Sequence, residues 1–143
     1  DGLTFEYPST YENCTPGEAL ISGNQNWNDI FDVRDNSTGI SISVQKNDNG
    51  PSPVAVKEAD IISLKSTSGE VLSDVTTDIN GIEMQKLIYK LKDPSSEEDS
   101  KYIEYIFKGN DGTTFSIQFI GSPNNFDKMT DLANNVMNSV RIQ

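Results

Sequence analysis

Hydrophobic and polar residues alternate with a period of two along much of this chain, which is the pattern of strands with two unlike faces. The most regular stretch is 40–44, an alternation of Ile, Ser, Ile, Ser and Val, and we expect its serines to face solvent. Residues 35–39 have the composition of a hairpin loop, and 28–34 supplies a partner strand with Phe31 and Val33 turned inward. Two shorter strands are predicted at 3–7 and 19–22.

The second half of the chain contains four predicted strands, at 70–79, 82–92, 101–108 and 113–120. Asn80-Gly81 separates the first two and Asp111-Gly112 the last two, and both pairs favour tight hairpin turns because their residues tolerate positive φ. Along 82–92 the apolar residues switch from one face of the strand, which includes Met84, to the other face, which includes Leu87. This change predicts a β-bulge near residues 85–86.

Two helices are predicted, each beginning at a Ser-Pro pair, because serine caps a helix N-terminus and proline suits its first position. The first follows Ser52 and runs to about Lys65. Its apolar residues at helical spacing are Ala55, Ala59 and Ile62, with Ile61 and Leu64 beside them. The second follows Ser122, and its apolar positions recur every three or four residues. They are Phe126, Met129, Ala133, Val136 and Val140, and Leu132 and Met137 widen the stripe.

The order of elements is therefore strands, helix, antiparallel strands and helix, which predicts an α+β fold with helices packed on a central antiparallel β-sheet. The chain has 143 residues, a length typical of one domain with its own core. We find no internal repeat and no linker long enough to divide it. Residues 1–143 are thus predicted to form a single domain.

The two ends of the chain resemble the PsbP-like domain family. The opening Phe5-x-Tyr7-Pro8-x-x-Tyr11 is similar to the start of those domains, and the aromatic strand 114–119 followed by a helix ending at 137–142 is similar to their close. The resemblance implies an α/β/α sandwich around an antiparallel sheet. Tyr11 stands where the family more often has Trp.

The PsbP-like family includes an extrinsic, lumenal subunit of photosystem II, exported or lipid-anchored microbial surface proteins, and nuclear Ran-binding relatives of the same fold. This chain has no histidine, so it lacks any histidine metal ligand that a photosynthetic member could use. Its surface is rich in Asn and Asp. The resemblance therefore implies a microbial envelope relative rather than a role in oxygen evolution, and fold alone does not give function.

The composition excludes several classes of function. The formal net charge of −11 disfavours binding to nucleic acid or to an anionic lipid surface, since both are negatively charged. Without histidine, the chain cannot form a Ser-His-Asp or Cys-His catalytic centre or a histidine-containing zinc site on its own. No stretch of the sequence approaches the length of about 18 apolar residues needed to span a membrane.

Cysteine and asparagine usage bears on where the protein is found. Cys14 is the only cysteine, so the chain cannot form an internal disulfide. A single thiol fits either a reducing compartment or an exported domain that does not rely on disulfides. Asn13 and Asn36 each begin an N-x-Ser/Thr sequence, which makes them possible glycosylation sites in an exported protein. Together with the resemblance, these features lead us to expect an extracellular or cell-envelope location, with a tether outside this chain.

Two acidic clusters are candidate cation sites, because Ca²⁺ prefers carboxylate and amide oxygens. The first consists of Asp29, Asp32 and Asp35; on a regular strand Asp29 and Asp32 point to opposite faces, which favours an ordinary solvated hairpin instead. The second lies in a predicted loop, and an ordinary charged loop is the alternative there too. Its acidic residues include Asp93, Glu97 and Asp99.

The leading hypothesis is a non-enzymatic, exported or surface-tethered binding or assembly module, monomeric, with a protein partner and without catalytic residues or a cofactor. The first alternative is a small-ligand or divalent-cation-binding domain. The second is a hydrolase that uses two carboxylates. That alternative needs a cleft with a buried carboxyl group whose pKa is raised, which the sequence alone does not reveal.

Overall fold

The computed structural model describes residues 2–14, 26–92 and 98–143, so the predicted strand at 19–22 lies outside the described residues. In these residues the strands are β1 (Leu3–Thr4), β2 (Glu12–Asn13), β3 (Asn28–Arg34), β4 (Ser41–Asn47), β5 (Glu70–Ile79), β6 (Ile82–Lys92), β7 (Asp99–Lys108), β8 (Thr114–Gly121) and β9 (Arg141–Ile142). The helices are α1 (Pro53–Ser66) and α2 (Phe126–Ser139), and a 3₁₀ turn at Pro123–Asn125 precedes α2.

The described strands form one large antiparallel sheet in the order β2-β3-β4-β8-β7-β6-β5. A separate pair, β1 and β9, joins the two ends of the chain. The hairpin between β5 and β6 turns at Asn80 and Gly81, which both have positive φ, as the sequence predicted. The predicted α+β fold with an antiparallel sheet is confirmed.

Helices lie on both faces of the sheet, and the central strand β7 shows this most clearly. Alternate residues of β7, among them Ile103 and Tyr105, pack in the cluster that contains the buried residues of α2. Tyr102 packs in a second cluster with Leu64 of α1 and Tyr89 of β6. Because successive side chains of a strand point to opposite faces, α1 and α2 enclose the sheet as an α/β/α sandwich.

Helix α1 begins as predicted but buries a different stripe. The Ser52 hydroxyl oxygen accepts a hydrogen bond from the backbone N–H of Ala55 at 3.1 Å and caps the helix. The buried residues are Val56, Asp60 and Leu64, whereas Ile62 is 69 % exposed. The predicted stripe of Ala55, Ala59 and Ile62 is therefore wrong, whereas Leu64, predicted beside it, is buried. The residues four apart that face the sheet include an aspartate, which a search for apolar spacing passes over.

Helix α2 buries the stripe that the sequence predicted, but Ser122 does not cap it. The buried residues of α2 are Met129, Leu132, Ala133, Val136 and Met137. The Ser122 side chain makes no capping hydrogen bond, and the 3₁₀ turn separates it from the α-helix. Together α2 and the strands beneath it form the larger of the two cores.

The parity change in β6 has a different cause from the one predicted. β6 pairs with β7 in continuous register from Met84 to Lys92, without a bulge at 85–86. Both faces of β6 contribute to a core, Met84 to the α2 side and Leu87 to the α1 side. Apolar residues on both faces therefore reflect a sheet covered on both sides. The register shift lies in the neighbouring strand β5, between Val71 and Ser73.

Candidate functional site

Polar side chains line the α1 face of β4 and β8 and are buried. They are Ser43, Gln45 and Asn47 of β4 with Thr114, Ser116 and Gln118 of β8. Ser43 is only 9 % exposed and Ser41 is half-buried, so the prediction that the β4 serines face solvent is wrong. Alternation shows that the two faces of a strand differ, but it does not show that the polar face is exposed to solvent.

Glu104 of β7 is at the centre of this polar face. The strand register places it beside Gln118, and its side chain is 2 % exposed. Its Oε1 accepts hydrogen bonds from Ser116 Oγ at 2.6 Å and from Gln118 Nε2 at 3.1 Å. These charge-assisted bonds offset part of the cost of burying the carboxyl group.

The second oxygen of Glu104 and the hydroxyl of Tyr89 are less well satisfied. Within the described part of the chain, neither atom has a partner with proper hydrogen-bond geometry, although both are buried. The two groups interact nonetheless, because Tyr89 contributes to lowering the pKa of Glu104. Burial first, and then the charge of Glu104, raise the pKa of Tyr89 well above its ordinary value, so its hydroxyl stays protonated.

Asp60 of α1 completes the group, as the only charged member of the buried stripe of that helix. It is 6 % exposed, and burial, followed by the charge of Glu104, raises its pKa to about 8. Burial also raises the pKa of Glu104, against the lowering effect of its hydrogen bonds to Ser116 and Gln118. The two carboxyls therefore titrate as a pair that retains a proton at neutral pH.

A raised pKa is one requirement of a general acid, and contact with the substrate is the other. Asp60 and Glu104 lie between α1 and the sheet, almost entirely out of contact with solvent. Neither residue lines the open cleft that contains Arg34 or the one that contains Phe5 and Arg141. The two carboxyl groups therefore interact electrostatically across the contact between α1 and the sheet.

The first predicted cation site is partly assembled, for a reason that the strand pattern did not show. A register shift between Asp29 and Phe31 places Asp29 opposite Gln45 and Asp32 opposite Ser43, on the same face of the sheet. The expectation that Asp29 and Asp32 point to opposite faces is therefore wrong, because a bulge resets the alternation. Asp29 Oδ1 accepts a hydrogen bond from Gln45 Nε2.

Asp32 and Asp35 have different electrostatic environments. Burial raises the pKa of Asp32, aided by the charge of Asp29 and opposed by a hydrogen bond from Ser43. Hydrogen bonds from the Ser37 backbone and the Thr38 side chain lower the pKa of Asp35, which organises the β3–β4 turn. Across the described ranges, no three His, Cys, Asp or Glu side chains are arranged to hold a metal ion.

The remaining predicted site residues are spread over the surface. Asp93 and Glu97 lie outside the described residues, whereas Asp99 begins β7. Asn13 and Asn36 are both exposed, and the Asn36 side chain donates a hydrogen bond to Glu12 Oε2 at 3.2 Å. Their positions leave glycosylation as a prediction.

Asp99 lines an open cleft of about 410 Å³ at one end of the sheet. Arg34 of β3 also lines this cleft, and its guanidinium lies next to Gly39 without a hydrogen bond or ion pair to any described residue. The hydroxyl-bearing residues of the lining are Thr38, Ser41, Ser100 and Ser122. Glu98 and Asp99 add two carboxylates to this lining, so the cleft combines one guanidinium, two carboxylates and several hydroxyl groups, which suits a small polar ligand.

Solved structures share this architecture of one antiparallel sheet between two helices. Cyanobacterial PsbP from Synechocystis sp. PCC 6803 matches with a TM-score of 0.57 over 99 % of this chain and 93 % of that chain, at 14 % identity. The chain has a PsbP-like fold. The α/β/α sandwich implied by the sequence resemblance is thereby confirmed.

Two further PsbP-like neighbours also match with a TM-score of 0.57. LpqN of Mycobacterium tuberculosis, described as involved in cell envelope biogenesis, matches over 99 % of this chain and 83 % of its own, at 10 % identity. Protein PA94 of Pseudomonas aeruginosa, of unknown function, matches over 97 % of this chain and 96 % of its own, also at 10 % identity. No family profile and no curated protein matches the sequence.

Proposed function

We propose that this chain is a non-enzymatic PsbP-like binding and assembly module, exported or tethered at the cell surface, that acts as a monomer on a protein partner. The observation that carries the proposal is the burial of Asp60 and Glu104, two carboxyl groups whose pKa values are both raised chiefly by burial. A carboxylate hydrolase needs such groups in contact with its substrate. The envelope role described for the neighbour LpqN supports the proposed location.

In this proposal a tether, and not the domain itself, attaches the protein to the membrane. No helix in the described residues is long and apolar enough to cross a membrane. The net charge of −11 disfavours direct adsorption to anionic lipid. Expression of the complete coding sequence in its native host, followed by cell fractionation and surface proteolysis, tests the location. Recovery only in the cytosol contradicts it.

The non-enzymatic proposal is tested with a panel of chromogenic glycosides and esters. We expect no turnover above that of buffer, and the same result for Asp60→Asn and Glu104→Gln. Turnover that one of these substitutions abolishes, in a variant that is still folded by circular dichroism, contradicts the proposal. It would instead establish the two-carboxylate hydrolase.

A second function, small-ligand or divalent-cation binding, is favoured by the cleft at Arg34 and by the shared face of Asp29 and Asp32. Titration of the ¹⁵N-labelled domain with Ca²⁺, Mg²⁺ and inorganic phosphate distinguishes it from the first. Saturable amide shifts confined to Asp29–Asp32 or to the cleft support this second function. Small, non-saturating shifts over the whole acidic surface indicate counterion association only.

A further inference from the structure

Four lysines lie together on the α2 face of the sheet, towards its β5 edge. The pairing of β6 with β7 aligns Lys86 with Tyr105, Lys90 with Lys101, and Lys92 with Asp99. Tyr105 belongs to the α2-side core, so its partners across the strands share that face. We call Lys86, Lys90, Lys92 and Lys101 the lysine strip.

The lysine strip concentrates positive charge in an acidic protein. It holds four of the 11 lysine and arginine residues of a chain whose formal net charge is −11. Lys90 and Lys101 stand directly opposite each other on adjacent strands, an arrangement of like charges that costs stability. Glu70, which pairs with Lys90 from the other side, offsets part of this cost and leaves the strip with an excess of positive charge.

Three of the four lysines are held in place by neighbours. Lys90 Nζ lies 2.8 Å from Glu70 Oε2. Lys101 Nζ is 4.0 Å from the ring centroid of Phe126, and Lys86 Nζ is 5.3 Å from that of Tyr105. Because these contacts fix the positions of the ammonium groups, less side-chain entropy is lost on binding, and each Nζ has further N–H donors for a partner's carboxylate.

Helix α2 leaves this part of the sheet open. It packs against β7 and β8, whereas the strip lies on β6 and the adjoining end of β7. Val75 of the edge strand β5 lies opposite Lys86 and is 46 % exposed. Ile88, between Lys86 and Lys90 on the same face, is only partly buried. Along β6 the surface therefore alternates cationic and apolar side chains at Lys86, Ile88 and Lys90, with Glu70 beside Lys90 and Asp99 opposite Lys92.

We propose that the lysine strip docks an extended acidic segment of a protein partner. The inference rests on the proposed binding function and names the chemistry of its partner. Along β6 the residues Lys86, Ile88, Lys90 and Lys92 repeat every second position, a spacing of about 6.6 Å. An extended peptide projects alternate side chains at the same spacing, so its carboxylates meet the ammonium groups while an apolar residue packs on Ile88 and Val75.

Charge complementarity favours a peptide over the other polyanions. The surface outside the strip is more negative than the whole chain, so a wide sheet of phosphates is repelled on approach. A single extended segment contacts only the strip and avoids that repulsion. Salt must weaken this binding, because the charges are partly exposed.

Fluorescence anisotropy with a labelled decapeptide of alternating Glu and Val tests the proposal, with the Gln-for-Glu peptide as its neutral counterpart. We expect saturable binding that the neutral peptide lacks, and about tenfold weaker binding by Lys86→Gln/Lys90→Gln. The matched control Lys46→Gln/Lys65→Gln changes net charge equally but lies elsewhere, on β4 and on α1. It should alter affinity by less than about twofold. Thermal unfolding confirms that all variants fold.

Three results overturn the inference. They are an absence of saturable binding, equal losses in both double variants, and preferential lysine-dependent binding to phosphatidylglycerol vesicles or inorganic phosphate over the peptide. Failure of the proposed function itself is distinct, because it shows as hydrolytic turnover that depends on Asp60 or Glu104. The peptide titration measures no such turnover.

Discussion

Replacing Asp60 with asparagine should stabilise the protein at neutral pH. The pKa of Asp60 is raised from 3.8 to about 8, chiefly by burial and secondly by Glu104. Each unit of pKa difference between the folded and unfolded states corresponds to about 1.4 kcal/mol, so holding this group at pH 7 costs about 4 kcal/mol. Because Glu104 shares the titration, we expect Asp60→Asn to raise the free energy of unfolding by roughly 2 to 4 kcal/mol.

The sign of the pH dependence follows from the raised pKa. A group with a folded pKa above its unfolded value contributes its full stability below the unfolded pKa, about 3.8, and loses it as pH rises towards the folded pKa, about 8. The wild type should therefore lose stability across this window, while Asp60→Asn should lose less. The two proteins should differ least near pH 4.

Urea unfolding at pH 4, 7 and 8, followed by circular dichroism, measures this difference. Asp131→Asn is the matched control, since Asp131 occupies the middle of the other 14-residue helix and is exposed. It should change the free energy of unfolding by less than about 0.5 kcal/mol at every pH. If Asp60→Asn destabilises the protein at pH 7, or if its effect does not grow with pH, the burial argument is refuted.

Three further substitutions test other parts of the structure by urea unfolding. Glu104→Ala leaves the Ser116 hydroxyl without its acceptor and opens a cavity, so it should lower the free energy of unfolding by roughly 3 kcal/mol. Glu104→Gln should lower it by less, and equal losses would contradict the hydrogen-bond network. Ser52→Ala removes the α1 cap and should cost about 1 kcal/mol, and no change contradicts the cap. Gly50→Ala, at a φ of +58°, brings a Cβ against the Gly112 carbonyl and should cost at least about 2 kcal/mol, so a neutral effect contradicts that contact.

The sequence predicted the strands and turns of the second half of the chain well. β5 and β6 begin and end at the predicted residues, since Asn80-Gly81 requires a tight turn between two alternating stretches. The stripe of α2 was also predictable, because its five buried residues are all apolar and recur at helical spacing. Local chemistry determined these elements, so a single sequence was enough.

The candidate site was not predictable in the same way. Asp60 is part of a buried stripe that a purely apolar search rejects, and the buried serine Ser43 resembles a solvent-facing residue. One signal could have indicated Glu104: residues 102–107 are apolar on both faces except at this position, so the strand is covered on both sides and its glutamate is buried. The partnership of Asp60 with Glu104 depends on how α1 packs on the sheet.

The lysine strip and the shared face of Asp29 and Asp32 required the strand register. Lys90 and Lys101 are 11 positions apart in the sequence and become direct neighbours only through the β6–β7 pairing. Asp29 and Asp32 share a face because of one irregular residue in β3. Alternation along a single strand does not reveal either arrangement, because a bulge moves every following side chain to the opposite face of the sheet.

The central claim is that the protein binds a partner through the open α2 face of β5 and β6. Its most direct test is to add the alternating Glu-Val decapeptide to the ¹⁵N-labelled domain and map the amide shifts. We predict saturable shifts at Val75, at the β6 residues Lys86–Lys92 and at Lys101, with α1 and the Arg34 cleft unchanged. Shifts centred on that cleft or on α1, or shifts spread evenly over the domain, would contradict the claim.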